Sequence, residues 1–70
     1  MDKLQQLKEI ITEAETQREY FYQRKNLKAG TRYRRLLQEA AMLARAIRLE
    51  VLAEKQDIAA FRYQKRNLKV

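Results

Sequence analysis

Seventy residues without a cysteine, a histidine or a proline bound this chain tightly: it is expected to be one small domain (1–70) with a modest core. Disulfide staples and the usual zinc or iron ligands are excluded. Its 16 Lys and Arg against 9 Asp and Glu give a formal charge of +7, which favours a polyanionic partner, nucleic acid ahead of an anionic membrane surface.

The N-terminal MDKLQQLKEII lacks the long apolar core of a secretory signal, and the longest apolar run, AAMLA, is far too short to span a bilayer. A cytoplasmic protein is expected. With no His, Cys or Ser and no glycine-rich phosphate loop, neither an enzyme nor a cofactor is expected, nor a small-molecule substrate.

Leu, Ala, Glu, Gln, Lys and Arg dominate, so nearly every window favours helix. The first predicted element is a helix over about 3–28, with Leu4, Leu7, Ile11, Ala14 and Phe21 at helical spacing and Arg18 interrupting them. The only glycine, Gly30, suggests a turn at 28–31, where it can take the left-handed conformation that ends a helix while Thr31 caps the next. The second predicted element is a helix over about 32–66. It carries a stripe through Tyr33, Leu37, Ala40, Ala44, Ile47, Val51, Ile58 and Phe61, widened by Leu36 and Leu43 and broken at Glu54. The fold class is therefore all-α, two long helices zipped into an antiparallel hairpin.

Met42, Ala46, Leu49 and Ala53 form a second apolar strip on nearly the opposite side of helix 2. A lone hairpin leaves that strip wet, and helix 2 outruns helix 1. Both features point to a homodimer through these four residues, giving a four-helix or coiled-coil-like assembly. The alternative is a helix 2 that frays or bends after about Lys55.

Sliding the chain by 41 residues aligns Glu9–Ala29 with Glu50–Val70 at seven identities, five of them in a YQxxNLK core. Both segments are thus expected to end in a basic, Tyr-bearing helical turn.

Charge is uneven: residues 1–19 sum to −2, 20–35 to +6, 36–61 to −1 and 62–70 to +4. Arg32, Arg34 and Arg35 fall in the first turn of the predicted helix 2, where the backbone dipole favours acids. The placement makes sense if an anion sits there, held by first-turn amides, the Thr31 hydroxyl and arginine forks. Arg24, Lys25 and Lys28 approach the same turn from helix 1, and Gly30 would let the backbone come close to the ligand. If two copies of helix 2 pair antiparallel about Ile47, position 31 lies opposite position 63. Arg62, Lys65, Arg66 and Lys69 then join the partner's turn cluster.

From Ala29 to Arg48, AGTRYRRLLQEAAMLARAIR resembles the bacterial linker-histone-like nucleoprotein family of chlamydiae and Bacteroidetes. The resemblance takes in Ala14 and Glu15, the aromatic pair Phe21 and Tyr22, and the K-N-x-x-A-G-T-R run at Lys25, Asn26, Ala29, Gly30, Thr31 and Arg32. It continues through Arg34, Leu37 to Glu39, Leu43, Ala44, Ile47 and Arg48. It implies a nucleoid protein that binds double-stranded DNA and compacts it with little sequence preference. The long Lys/Ala-rich tail of chlamydial members is missing, and the segment after Asp57 has no counterpart in the family pattern. The leading expectation is non-specific DNA binding through phosphates; the competing ones are a coiled-coil adaptor without a nucleic-acid role and an RNA-binding protein. Membrane-surface binding is disfavoured, because the basic residues border a core-forming stripe and no Trp marks an interface.

Overall fold

The computed structural model describes residues 2–68, with side chains for residues 2–63. Helix α1 (Lys3–Arg24) begins at Asp2, whose backbone is extended (φ −63°, ψ 138°) and whose Oδ1 accepts from the Leu4 amide at 3.2 Å. That closes one of the four amides a helix start leaves unpaired. Helix α2 (Leu27–Leu68) is 42 residues long and runs unbroken past Lys55, so the bend considered there is not made. There is no strand among the described residues. The two helices form the antiparallel hairpin the apolar stripes predict.

The reversal lies earlier than the sequence suggests. Helix α1 ends at Arg24 instead of about residue 28, and α2 starts at Leu27 instead of about residue 32. The left-handed residue is Lys25 (φ 56°, ψ 36°), while Gly30 keeps an ordinary negative φ inside α2. The Lys25 and Asn26 amides both donate to Tyr20 O, the latter at 3.4 Å, which closes the end of α1. Asn26 then caps α2: its Oδ1 accepts from the Ala29 amide at 3.2 Å and its carbonyl accepts from Gly30 N at 3.2 Å. Asparagine is as good an N-cap as any residue, so the chain needs neither Gly30 nor Thr31 for the turn. Thr31 lies within α2, its Oγ1 donating to Leu27 O at 3.4 Å.

Gly30 serves packing instead. It is buried, and a methyl group there would lie 2.6 Å from Phe21 Cδ1 and 2.7 Å from Cε1. The absent side chain lets α2 close onto the Phe21 ring just beyond the reversal. Ala29 beside it is 1% exposed.

The seam is thin. Its fully buried apolar residues are Ala14, Ala29 and Ala40, flanked by half-buried Leu7, Ile10 and Phe21 from α1 and Tyr33, Leu36, Leu43 and Ile47 from α2. Small residues at the contact let two helices approach closely. The α1 face is rotated slightly from the expected one, running Leu7, Ile10, Ala14, Gln17 and Phe21. Gln17 is thereby buried and Arg18 exposed. An amide is less costly to bury than a guanidinium, and Gln17 Nε2 donates to Glu13 Oε1 at 3.2 Å. On α2, Leu36 takes the inner position and Leu37 stays 43% exposed.

An exposed ion pair between Lys3 and Glu50 marks where α1 stops covering α2. Such a pair contributes roughly 0–1 kcal/mol. Beyond it, every described side chain from Val51 to Tyr63 is exposed. The molecule is a rod of 68 × 16 × 15 Å with a radius of gyration of 19.6 Å, against about 11 Å for a compact chain of this length.

Candidate nucleic-acid interface

The hairpin end collects the densest positive charge. Arg24 closes α1, Lys25 forms the reversal, and Lys28, Arg32, Arg34 and Arg35 follow on α2; all six are exposed. The first acid after Glu19 is Glu39, so no carboxylate lies in the intervening sequence. Among the described residues the ion pair is Lys3–Glu50, and none of these six cations is taken up by an acid of the same chain. Their positive ends are therefore free to meet an anion.

Local contacts order part of the cluster. The Arg24 guanidinium lies over the Tyr20 ring, its Cζ 4.7 Å from the centroid, a stacking that limits its rotamers without neutralising it. Phe21 and Tyr22 meet edge to face at 4.8 Å and 72°; Phe21 turns inward onto Gly30 while Tyr22 is 58% exposed. Thr31, Arg34, Arg35 and Gln38 line one shallow surface concavity. Three of these were expected at the site. Gln38 was not, though its spacing of four from Arg34 places it on the same flank.

The structure also moves the arginines relative to the helix end. With α2 starting at Leu27, the first turn holds Leu27 to Gly30, and Arg32, Arg34 and Arg35 lie in the second and third turns. The dipole's influence fades within the first turn, so the expected conflict between arginines and helix dipole does not arise. Nor is the helix start open to a phosphate at the expected place. The Ala29 amide is bonded to Asn26, and Gly30 is packed on Phe21. What remains is a fan of exposed side chains around a closed reversal.

The sequence reading missed a second feature. Arg34, Arg45, Arg48, Lys55 and Arg62 are separated by eleven, three, seven and seven residues, all near whole numbers of helical turns, so they share one flank of α2. Glu39, Glu50, Glu54 and Asp57, separated by eleven, four and three, share the other. All nine are exposed. The basic flank extends the hairpin-end cluster along the rod for about 42 Å. The signal was present in the spacing, but the segment's net charge of −1 conceals it. Arg62 is thus on this flank; the side chains of Lys65 and Arg66 and the whole of Lys69 lie outside the described residues. Of the expected dimer residues, Met42 (66% exposed), Leu49 (57%) and Ala53 are on the surface, and Ala46 is half-buried.

Among the described residues, no helix is long and apolar enough to cross a membrane, and no group of acidic side chains is placed to hold a metal ion. A family model for histone H1-like protein Hc1 matches residues 1–57, which contain α1, the reversal and α2 as far as Asp57. No curated protein and no solved structure matches the chain.

Proposed function

We propose, from the premise that this chain belongs to the histone H1-like Hc1 family, that it binds double-stranded DNA through the phosphate backbone, with little discrimination among sequences, and acts in the nucleoid. The observation that carries this reading is the set of six exposed cations at the hairpin end with no carboxylate partner among the described residues. Side chains such as Arg24, Lys25, Lys28, Arg32, Arg34 and Arg35 on a convex end reach phosphates readily.

Contacts divide into two zones. The hairpin end, with Thr31 and Gln38 as neutral donors beside the arginines, makes the primary contact. Arg45, Arg48 and Lys55 extend it along the rod, so that a duplex lying beside α2 meets positive charge over several turns. Gly30 acts indirectly, by fixing the angle at which α2 leaves the reversal.

A mobility-shift titration with a random duplex tests this. Arg32/Arg34/Arg35→Ala should weaken binding and lower the log-log salt slope by about 3, one per phosphate contact. Arg45/Arg48→Ala, outside the primary contact, should lower it by less. Unchanged affinity in the triple variant contradicts the reading. Competition with duplex RNA and single strands separates duplex DNA from the other polyanions.

A further inference from the structure

Among the described residues the most exposed large apolar side chain is Leu27, at 79%. A lone exposed leucine is ordinary on a protein surface, so its position decides whether it carries meaning. Leu27 is the first residue of α2, at the reversal, and every residue from 22 to 28 is exposed. The Cα–Cβ bonds of a helix tilt toward its N-terminus; for α2 that direction leads out past the end of the rod, and for α1 it leads back along it. Leu27 thus projects from the tip, while the exposed Tyr22 on α1 leans away from it. Arg24 and Lys25 flank the leucine from the α1 side, Lys28 and Arg32 from the α2 side.

The fold makes little use of this side chain. Asn26 caps α2 and Phe21 packs on Gly30; what Leu27 gives the turn is its carbonyl, which accepts from Thr31 Oγ1 at 3.4 Å. A hydrophobic staple at this helix start would join the residue before the cap to the fourth helical residue, and those positions hold Lys25 and Gly30. Alanine would serve the helix at least as well.

We propose, given the phosphate contact assigned to the hairpin end, that Leu27 is a wedge: it enters the minor groove of the duplex, slides part-way between two stacked base pairs and kinks the DNA toward the major groove. Dimensions and charge select this mode. The rod is 16 × 15 Å across, too broad for its body to enter a groove of about 6 Å or about 12 Å, so only side chains at the tip go in. Cations on both sides of one apolar point suit the groove whose two phosphate backbones lie closest, which is the minor one. Leucine has no hydrogen-bonding group with which to read a base edge, and it gains by leaving water for the base stack. Site choice then follows how readily a step opens, with pyrimidine–purine steps and mismatches ahead of stiffer sequence. This gives a preference for deformable DNA without base reading.

Ligase-catalysed ring closure of a duplex of roughly 150 base pairs, one persistence length, tests the wedge beside a mobility-shift titration. Wild type should speed closure about tenfold or more, since kinks replace smooth bending. Leu27→Ala should bind with the wild-type salt slope, because no charge is lost, yet leave closure near the protein-free rate. Leu27→Met, which keeps a wedge-forming side chain, should restore it. One central mismatch in a short duplex should tighten wild-type binding about tenfold and Leu27→Ala binding far less. Circular dichroism and urea unfolding establish that both variants keep the hairpin. Closure that is equal with wild type and Leu27→Ala, or unaided by either, overturns the wedge and leaves the phosphate reading standing if binding keeps its salt dependence. A Leu27→Ala salt slope well below wild type also overturns it, because residue 27 would then only position the cations. A wild type that binds no duplex overturns both readings.

Discussion

Phe21 and Gly30 illustrate how one residue's role depends on what lies across from it. A glycine in a helix interior normally costs about 1 kcal/mol relative to alanine, so Gly30→Ala on propensity alone should stabilise. Here the added methyl would enter the Phe21 ring edge at 2.6 Å, and overpacking of this kind costs about 1–3 kcal/mol. The steric term is the larger. Gly30→Ala should therefore lower the midpoint of thermal or urea unfolding, and Phe21→Leu in the same chain should recover much of the loss. A midpoint raised by Gly30→Ala alone would mean that the ring swings aside at no cost. The same contact explains why the reversal was misplaced from sequence. A single glycine beside a threonine reads as a helix stop and start, yet Lys25 takes the left-handed conformation and Asn26 the cap. The packing that makes this favourable, Ala29 and Gly30 against α1, is tertiary and has no local signature.

Elements repeat the lesson at larger scale. The presence, number and antiparallel arrangement of the helices were legible, because absence of proline, helix-forming composition and apolar spacing all agree. The inner face of α1 was legible only to within a residue: Arg18 breaks the stripe Leu4, Leu7, Ile11, Ala14, and the helix resolves the conflict by turning Gln17 inward. The YQxxNLK echo was misleading structurally, since YQRKNLK holds a chain reversal while YQKRNLK lies in helix at least through Leu68. Nearly the same residues break one helix and continue another because only the first copy has an α1 to fold against. Since Asn26 caps α2 through the Ala29 amide, Asn26→Ala should destabilise the hairpin by about 1 kcal/mol, measured by urea unfolding. Thr31→Ala, at the position first expected to cap, should cost less. Equal losses at both positions would put the start of α2 in the wrong place. The basic flank Arg34, Arg45, Arg48, Lys55 was legible in principle, but segment sums average over a helix's two sides and hide it.

The molecule is a thin rod whose charge is arranged by position: cations crowd the reversal, and farther along α2 Arg45, Arg48, Lys55 and Arg62 keep to one flank while Glu39, Glu50, Glu54 and Asp57 keep to the other. A seam of alanines and half-buried leucines gives little core, in keeping with a fold whose surface matters more than its interior. Membership in the histone H1-like Hc1 family and the exposed cations at the hairpin end, which pair with no acid among the described residues, both support the proposed contact with DNA. The central claim is that binding is phosphate neutralisation by about six such cations. The most direct test is the affinity of the wild-type protein for a random DNA duplex measured across salt concentration. The account predicts a log-log slope near −5, hence a loss of roughly a thousandfold between about 50 and 200 mM salt; affinity that holds nearly constant over that range would contradict it.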